Sequence, residues 1–455
     1  MAIKGNMAFK RNASESLSRW YQRKMRKPLI LRGARQVGKS TAVQQLATQA
    51  PFFIELNLER YEHLSMVSAC NSASELVERL CQLHNVVTLP ENAILFIDEV
   101  QEYPEAVKWL RFFYEDFKEI AVVVAGSLFE IQMREHPQSI PVGRVEFMRM
   151  EPLSFLEFLH ATNDNALASE IQELYCSGER IKEGFHQLAL DRLRQFLLVG
   201  GLPEVVEMWS ETQNYTEVSR VHQNLLQGYR EDLLKYGKQH RIQEMQHVLS
   251  TAPMHYGSRY KTRALAAGNK EKPISEAVQL LEQAMVLFNV LPTSRTEVPF
   301  IPRPKAAKKL LPLDVGLALA QLHITSEQLK GVNIESLLDG RVAEMFVGIQ
   351  LLGQHTDQMR RLFFWTREGA ANSNAEVDYI IPSSTGSLPI EVKSGATGSL
   401  RSLHSFMEKS EENLCIRLST ARGGTQELKR QLQSGASIEY TLRSLPLYMA
   451  ELLGQ

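Results

Sequence analysis

The sequence predicts a multidomain α/β protein: a parallel-sheet core first, a mainly helical middle, and a second α/β region at the end. Three observations carry this. An apolar strand at Pro28–Arg32 runs straight into a glycine-rich loop and an amphipathic helix. After about residue 155 apolar positions recur three and four apart, as in Leu190–Leu198 and Ala277–Val290. Two short strands separated by Pro, Ser and Gly then lie at Glu376–Ile381 and Leu388–Gly395. The length of 455 residues leaves room for about two to four domains of roughly 100–200 residues each.

Composition narrows the class. Fifty-one Lys and Arg against 52 Asp and Glu give a net charge of -1, so no whole-molecule field draws the protein to polyanions, and any such contact is local. Apolar runs such as Ile120–Ala125 fall far short of the roughly 20 residues that cross a bilayer. Cys70, Cys81, Cys176 and Cys415 lie far apart with no CxxC pair, as free thiols in a reducing compartment would. The expectation is a soluble, cytoplasmic protein without a membrane partner. The basic residues Arg19, Arg23, Lys24, Arg26 and Lys27 surround Trp20 near the start. This arm is read as a lead-in helix packed by Leu17 and Trp20, with a base-stacking nucleic-acid arm as the alternative.

The first domain has the clearest chemistry. After PLILR comes GARQVGKST, Gly33–Thr41, which fits GxxxxGKS. Glycines let such a loop wrap its N–H groups around phosphate oxygens, and the following helix adds its positive end. Gly33, Ala34, Arg35, Gln36, Val37, Gly38 and Thr41 would form the ATP cradle, Lys39 would reach the β/γ-phosphates, and Ser40 would ligate Mg²⁺. Further on, AILFIDEV at Ala93–Val100 is an apolar strand ending in two acids. Asp98 suits a Mg²⁺ carboxylate and Glu99 a base that polarises the lytic water. Gripping nucleotide needs only the first of these, so hydrolysis is expected. IAVVVAGS at Ile120–Ser127 reads as a sensor strand between the other two; Ser127 either meets the γ-phosphate or caps the next helix. Arg144, after Gly143, either stabilises the transferring phosphoryl group, in cis or from another copy in a homo-oligomer, or is a plain surface arginine.

These segments carry a resemblance. LRGARQVGKST, LFIDEVQ, the AGS strand end and GRVEFMRMEPLSFLEF, followed by GGLPEVV and YREDLLKYGK, are together similar to the predicted prokaryotic AAA-superfamily (STAND-like) P-loop ATPases with a C-terminal domain of unknown function. The resemblance spans nearly the whole chain. It implies a P-loop NTPase core, a helical and winged-helix-like middle, and a restriction-endonuclease-like C-terminal fold. The expected domains are 1–155 (core with lead-in), 156–240 (helical lid), 241–335 (helical and winged-helix-like) and 336–455 (nuclease-like).

Pro299, Pro302, Pro304 and Pro312 interrupt a stretch that also holds Arg303, Lys305, Lys308 and Lys309. Proline-rich chain makes a poor strand or helix interior, so an exposed loop or wing is expected. It would either touch a DNA backbone or be a solvated face. Asp314 and Gly316 are read as a turn and helix cap. In the last region Glu344 sits on a helical stretch, GRVAEMFVGIQLL, and the two strands form a hairpin. Alternation puts Glu391 and Lys393 on one face, which Asp378 on the partner strand can share. Asp378 and Glu391 would ligate Mg²⁺ or Mn²⁺, Lys393 would orient the attacking water, and Glu344 would complete the cluster. The set resembles the PD-(D/E)xK nuclease pattern, with Val377 in place of the proline. The resulting expectation is an ATP-hydrolysing protein coupled to a nuclease-like domain acting on DNA. The alternative is a nucleotide-dependent switch or scaffold whose C-terminal domain binds DNA or a protein and is catalytically silent.

Overall fold

Five short aliphatic runs in the first third of the chain become one parallel sheet. The computed structural model describes residues 9–126, 140–234, 239–324, 340–354, 361–367, 375–384, 386–395, 400–431 and 437–454. The chain divides into two compact units, the first built on Met1–Pro152 and the second on Leu153–Glu282, Leu287–Gln354 and Arg360–Gln455.

In the first unit, β1 (Leu29–Arg32), β2 (Phe53–Asn57), β3 (Ile94–Asp98), β4 (Ala121–Ala125) and β5 (Glu146–Arg149) pair in the order β2-β3-β4-β1-β5. All pairings are parallel. β3 and β4 are buried at every position, as a sheet covered on both faces requires, which is why they read as unbroken apolar runs. β4 lies between β1 and β3, the place expected for the sensor strand. Helices α1 (Asn12–Tyr21), α2 (Lys39–Leu46), α3 (Tyr61–Ser68), α4 (Ala73–Leu83) and α5 (Ala106–Asp116) surround it. α4 and α5 share a core with the sheet through Leu76, Leu80, Leu110, Phe113, Leu95 and Val124. Each of these large side chains contributes about 1.5–3 kcal/mol.

The basic arm packs as a lead-in helix. Leu17 and Trp20 are buried, and the Trp20 indole donates to the Lys27 carbonyl at 3.0 Å. Several of its bases are engaged within the unit. Arg23 pairs with Glu146 at 2.7 Å, and Arg26 donates to the Tyr21 and Glu119 carbonyls and to Asn92 Oδ1.

The second unit starts with helices, among them Phe155–Ala161, Glu183–Val199, Pro203–Thr212 and Tyr215–Leu234. Ser154 and Glu157 form a reciprocal capping box at the first of these. The GGLPEVV turn is fixed by Asp314. Its carboxylate accepts from the Gly201 and Leu317 amides at 2.6 and 2.8 Å, capping the helix Val315–Gln321 as expected. Gly200 takes φ 79°, and a Cβ there would lie 2.1 Å from Asp314 Oδ1.

A nine-stranded sheet follows: β6 (Arg259–Tyr260), β7 (Leu287–Thr293), β8 (Lys308–Pro312), β9 (Phe363–Thr366), β10 (Glu376–Pro382), β11 (Ser387–Val392), β12 (Leu414–Ser419), β13 (Gly424–Gln431) and β14 (Ser437–Pro446), ordered β13-β14-β12-β11-β10-β9-β7-β8-β6. β10 and β11 are an antiparallel hairpin. Two sequence expectations are corrected here. The helix ends at Gln283, and Leu287–Thr293 is a strand; a short apolar run does not reveal its own period. Lys308–Pro312, expected in an exposed loop, is a strand paired with β6 and β7. Lys309 is buried, and Arg303 is held by Thr366 Oγ1 at 3.0 Å. β7 pairs in parallel with β9, so the sheet includes strands from both sides of residue 335.

Candidate functional site

The phosphate loop joins β1 to α2. Gly38, at the α2 N-cap, takes φ 95°, and Gln36 takes φ 64°; these turns let the chain reverse into the helix. Gly33 is fixed by close approach, since a Cβ there would lie 2.5 Å from the Met150 carbonyl oxygen. Lys39 is buried, and its ammonium donates to the Gly33 and Ala34 carbonyls at 2.9 and 2.8 Å. Burial lowers its pKa to about 8, against the opposing pull of Glu99 and Asp98. Arg11, ahead of α1, donates to the Val37 carbonyl at 3.1 Å and to that of Glu151 at 2.5 Å, tying the loop from outside.

Asp98 ends β3, the strand two places from β1. Its Oδ2 accepts from Ser40 Oγ at 2.6 Å. Burial raises the Asp98 carboxyl to about 6, with the Ser40 hydrogen bond opposing and the Glu99 charge adding to it. Glu99 follows at φ 53°, ψ 46°, a left-handed conformation rare outside glycine and common at functional sites. Gln101 Nε2 holds its Oε2 at 2.5 Å. Gly126 is the floor under Gln101, for a Cβ there would lie 2.3 Å from Gln101 Oε1. Sequence reasoning missed Arg11, Gln101 and Gly126. Only the last had a visible signal, a glycine closing the β4 run.

Arg144 stands apart from these groups in its described contacts. It pairs with Glu115 at 3.1 Å, and its guanidinium lies 5.6 Å from the Tyr114 ring centroid. Ser127 lies outside the described residues.

The second set of candidates lies around β10. The helix Gly340–Gly353 carries Glu344, and the Tyr379 hydroxyl donates to the Glu344 carbonyl at 2.7 Å, pinning that turn to β10. The helix can come so close because residue 348 is glycine; a Cβ there would lie 2.5 Å from the Tyr379 oxygen. Glu344, Glu376 and Asp378 bring carboxylate oxygens within 4.8 Å of one another. Glu376, two residues before Asp378, shares its face by alternation; that signal was available and unused.

A lysine fills this triad. Lys309 Nζ lies 2.6 Å from Glu344, 2.8 Å from Glu376 and 3.2 Å from Asp378. The Phe364 and Tyr379 rings flank it with centroids at 5.3 and 5.6 Å. Burial alone would lower its pKa, but the charges of Asp378, Glu344 and Glu376 hold it well above the ordinary lysine value. Burial raises Glu344 against the pull of Lys309. Arg259 takes the other oxygen of Glu376 at 2.9 Å. Asp378 Oδ2 accepts from the Val392 amide at 2.8 Å.

Glu391 is beside this triad and outside it. Lys393 pairs with its Oε1 at 2.5 Å, and its Oε2 is buried with no hydrogen-bond partner among the described residues. Burial, with Asp378 nearby, raises this carboxyl to about 8. The residues expected to ligate an ion are thus neighbours, with a buried ammonium where the triad converges.

Known proteins place part of this chain. Residues 25–159 match the model of an AAA domain. The first unit therefore holds an AAA-type P-loop ATPase domain on a parallel sheet. Beyond the AAA domain, residues 190–328 and 339–434 match two domains of unknown function (DUF8612 and DUF4143). An uncharacterized protein of Methanocaldococcus jannaschii, MJ1637, is 21% identical over 340 residues, 72% of this chain and 69% of that protein. Among solved structures, the Walker-type ATPase PABY2304 of Pyrococcus abyssi aligns over 69% of this chain and 96% of its own at 12% identity and a TM-score of 0.43. The Aeropyrum pernix ORC2 protein aligns over 70% of this chain and 94% of its own at 12% identity and a TM-score of 0.36. These two likenesses are too distant to carry a functional argument. No helix among the described residues is long and apolar enough to cross a membrane.

Proposed function

We propose that the AAA domain binds ATP at Gly33–Thr41 and hydrolyses it, and that the nucleotide state is passed to the C-terminal half, which binds DNA or a protein partner. The observation that carries the ATPase reading is the 2.6 Å hydrogen bond between Ser40 and Asp98, beside a lysine whose ammonium donates to two backbone carbonyls. A hydroxyl and a carboxylate side by side are the donor set that suits Mg²⁺, so the residues fit the ion. Bound there, Mg²⁺ would neutralise charge building on the β- and γ-phosphates.

The chain's own groups do the rest. The loop amides and the α2 N-terminus cradle phosphate oxygens, Lys39 turns from the Gly33 and Ala34 carbonyls to the phosphates, and Glu99, oriented by Gln101, takes the proton of the attacking water. Arg144, freed from Glu115, completes the charge from its own chain or from a neighbouring copy. The test is ATP binding by Lys39→Ala. Its affinity should fall at least a hundredfold, and unchanged binding would sink the reading.

For the C-terminal half, the nuclease reading needs a divalent ion among Glu344, Asp378 and Glu391. Two of these three do not fit one while the ammonium is in place: Lys309 contacts Glu344 and Asp378 at 2.6 and 3.2 Å, and both Asp378 oxygens are engaged, while Glu391 stands outside these contacts. This favours the second reading, a nucleotide-dependent switch that binds DNA or a protein and cuts nothing. The discriminating assay is incubation of the full chain with single-stranded, double-stranded and branched DNA and Mg²⁺ or Mn²⁺, with and without ATP. Cleavage abolished by Lys393→Ala would restore the nuclease reading.

A further inference from the structure

We propose that Lys309 is a built-in cation that takes the place of a divalent metal, making the Glu344–Glu376–Asp378 cluster a metal-free electrostatic lock with a latent metal site beneath it. The inference stands on the second unit alone and is independent of the ATPase reading.

Three lines of geometry converge. First, the ammonium contacts all three members of the triad at 2.6–3.2 Å. An oxygen-ligated Mg²⁺ or Mn²⁺ would need the same oxygens drawn in to about 2.0–2.1 Å, so ion and ammonium exclude each other. Second, the lysine is placed by the fold. Lys309 is 1% exposed, its strand is paired on both sides, and its ammonium lies 5.3 and 5.6 Å from the Phe364 and Tyr379 ring centroids. Swinging the side chain aside would give up all three ion pairs while the ammonium stays buried. Third, the charge is nearly balanced from within. Four carboxylates (Glu344, Glu376, Asp378, Glu391) face three bases, Lys309, Arg259 and Lys393, leaving one negative charge. A cluster so balanced has little to gain from an added dication.

The lock also explains the neighbouring choices. Gly348 admits the helix to within reach of β10, the Tyr379 hydroxyl fixes the Glu344 turn, and Lys309 then joins β8, β10 and that helix at one point. Removing the ammonium leaves three largely shielded carboxylates, Asp378 buried and Glu344 and Glu376 part-buried, facing each other, and a dication becomes the natural substitute.

The experiment is Mn²⁺ binding to the full chain, read by the electron paramagnetic resonance of free Mn²⁺ and by thermal unfolding. Nucleotide is left out, and Asp98→Asn is present throughout to silence the first unit. With Lys309 in place, no Mn²⁺ should bind stoichiometrically, and the melting temperature should move by less than about 1 °C. Lys309→Met should bind one Mn²⁺ per chain at least tenfold more tightly, with a rise in melting temperature of roughly 4 °C or more at saturation. Adding Asp378→Asn to Lys309→Met should abolish both gains.

One Mn²⁺ bound by the Lys309-containing chain overturns the proposal, as does a folded Lys309→Met chain that gains none. If Lys309→Met fails to fold without metal, refolding in Mn²⁺ decides: recovery of native circular dichroism supports the lock. Failure there, with Lys309→Met/Glu344→Gln/Asp378→Asn folding normally, overturns the latent site.

Discussion

Two buried lysines divide the molecule. Lys39 and Lys309 are both shielded from water beside acidic residues, yet their partners differ in kind. Lys39 donates to two backbone carbonyls, neutral groups that can be left for a phosphate. Lys309 is clasped by three carboxylates. Burial therefore wins at the first, lowering its pKa to about 8, and ion pairing wins at the second, raising it. A cation held by dipoles is available to a ligand; a cation held by charges has already found its own.

Glu99→Gln, on the Lys39 side, gives the largest expected effect. ATP turnover should fall roughly 10²–10⁴-fold while equilibrium nucleotide binding persists; phosphate release at the parent rate would show that another group is the base. Stability comes next. Lys309→Ala should lose about 3–5 kcal/mol in urea unfolding, the cost of stranding buried charges, whereas Lys39→Ala without nucleotide should be as stable as the parent or more so. Equal losses at the two lysines would dissolve the contrast.

A smaller effect is expected at Gly348→Ala. The new Cβ must push the helix off Tyr379, costing about 1–3 kcal/mol, and the loss should be no larger in a Lys309→Met background if both act on the same contact. The smallest effect is in pH. With a free-state pKa of about 8 for Lys39 and a phosphate that keeps the ammonium protonated when bound, binding takes up a proton above that pH. Affinity for ATP should fall about fivefold between pH 8 and 9. Calorimetry in two buffers of different ionisation enthalpy would detect the proton, and a flat profile would contradict the assigned state.

The first unit was the more legible in the sequence. Its strands are continuous aliphatic runs because both faces of a parallel sheet are covered, and the loop spacing at Gly33–Ser40 is dictated by backbone geometry. The second unit hid more. The antiparallel hairpin with Asp378, Glu391 and Lys393 could be read from alternation, but β7 is a short apolar run adjoining a helix, and only pairing with β8 and β9 makes it a strand. Lys309 misled for a related reason. Among prolines and other bases it has the look of a solvated residue, and nothing local announces that three acids from distant segments will close around it. Glu376 was readable, two residues before Asp378 on the same face. The contacts of Arg11 with the phosphate loop had no local trace, since a guanidinium bound to carbonyls leaves no complementary residue to find.

That arginine bears on where the first unit can be cut. The stretch that matches an AAA domain starts at residue 25, yet Arg11 links the Val37 carbonyl to that of Glu151. A fragment trimmed to the matching stretch would keep all of the phosphate loop and lose its outer fastening. Modularity seen in sequence and autonomy in solution then part company: the smallest faithful excision of this unit begins ahead of residue 11, and shorter versions would report a slackened loop as though it were the native one.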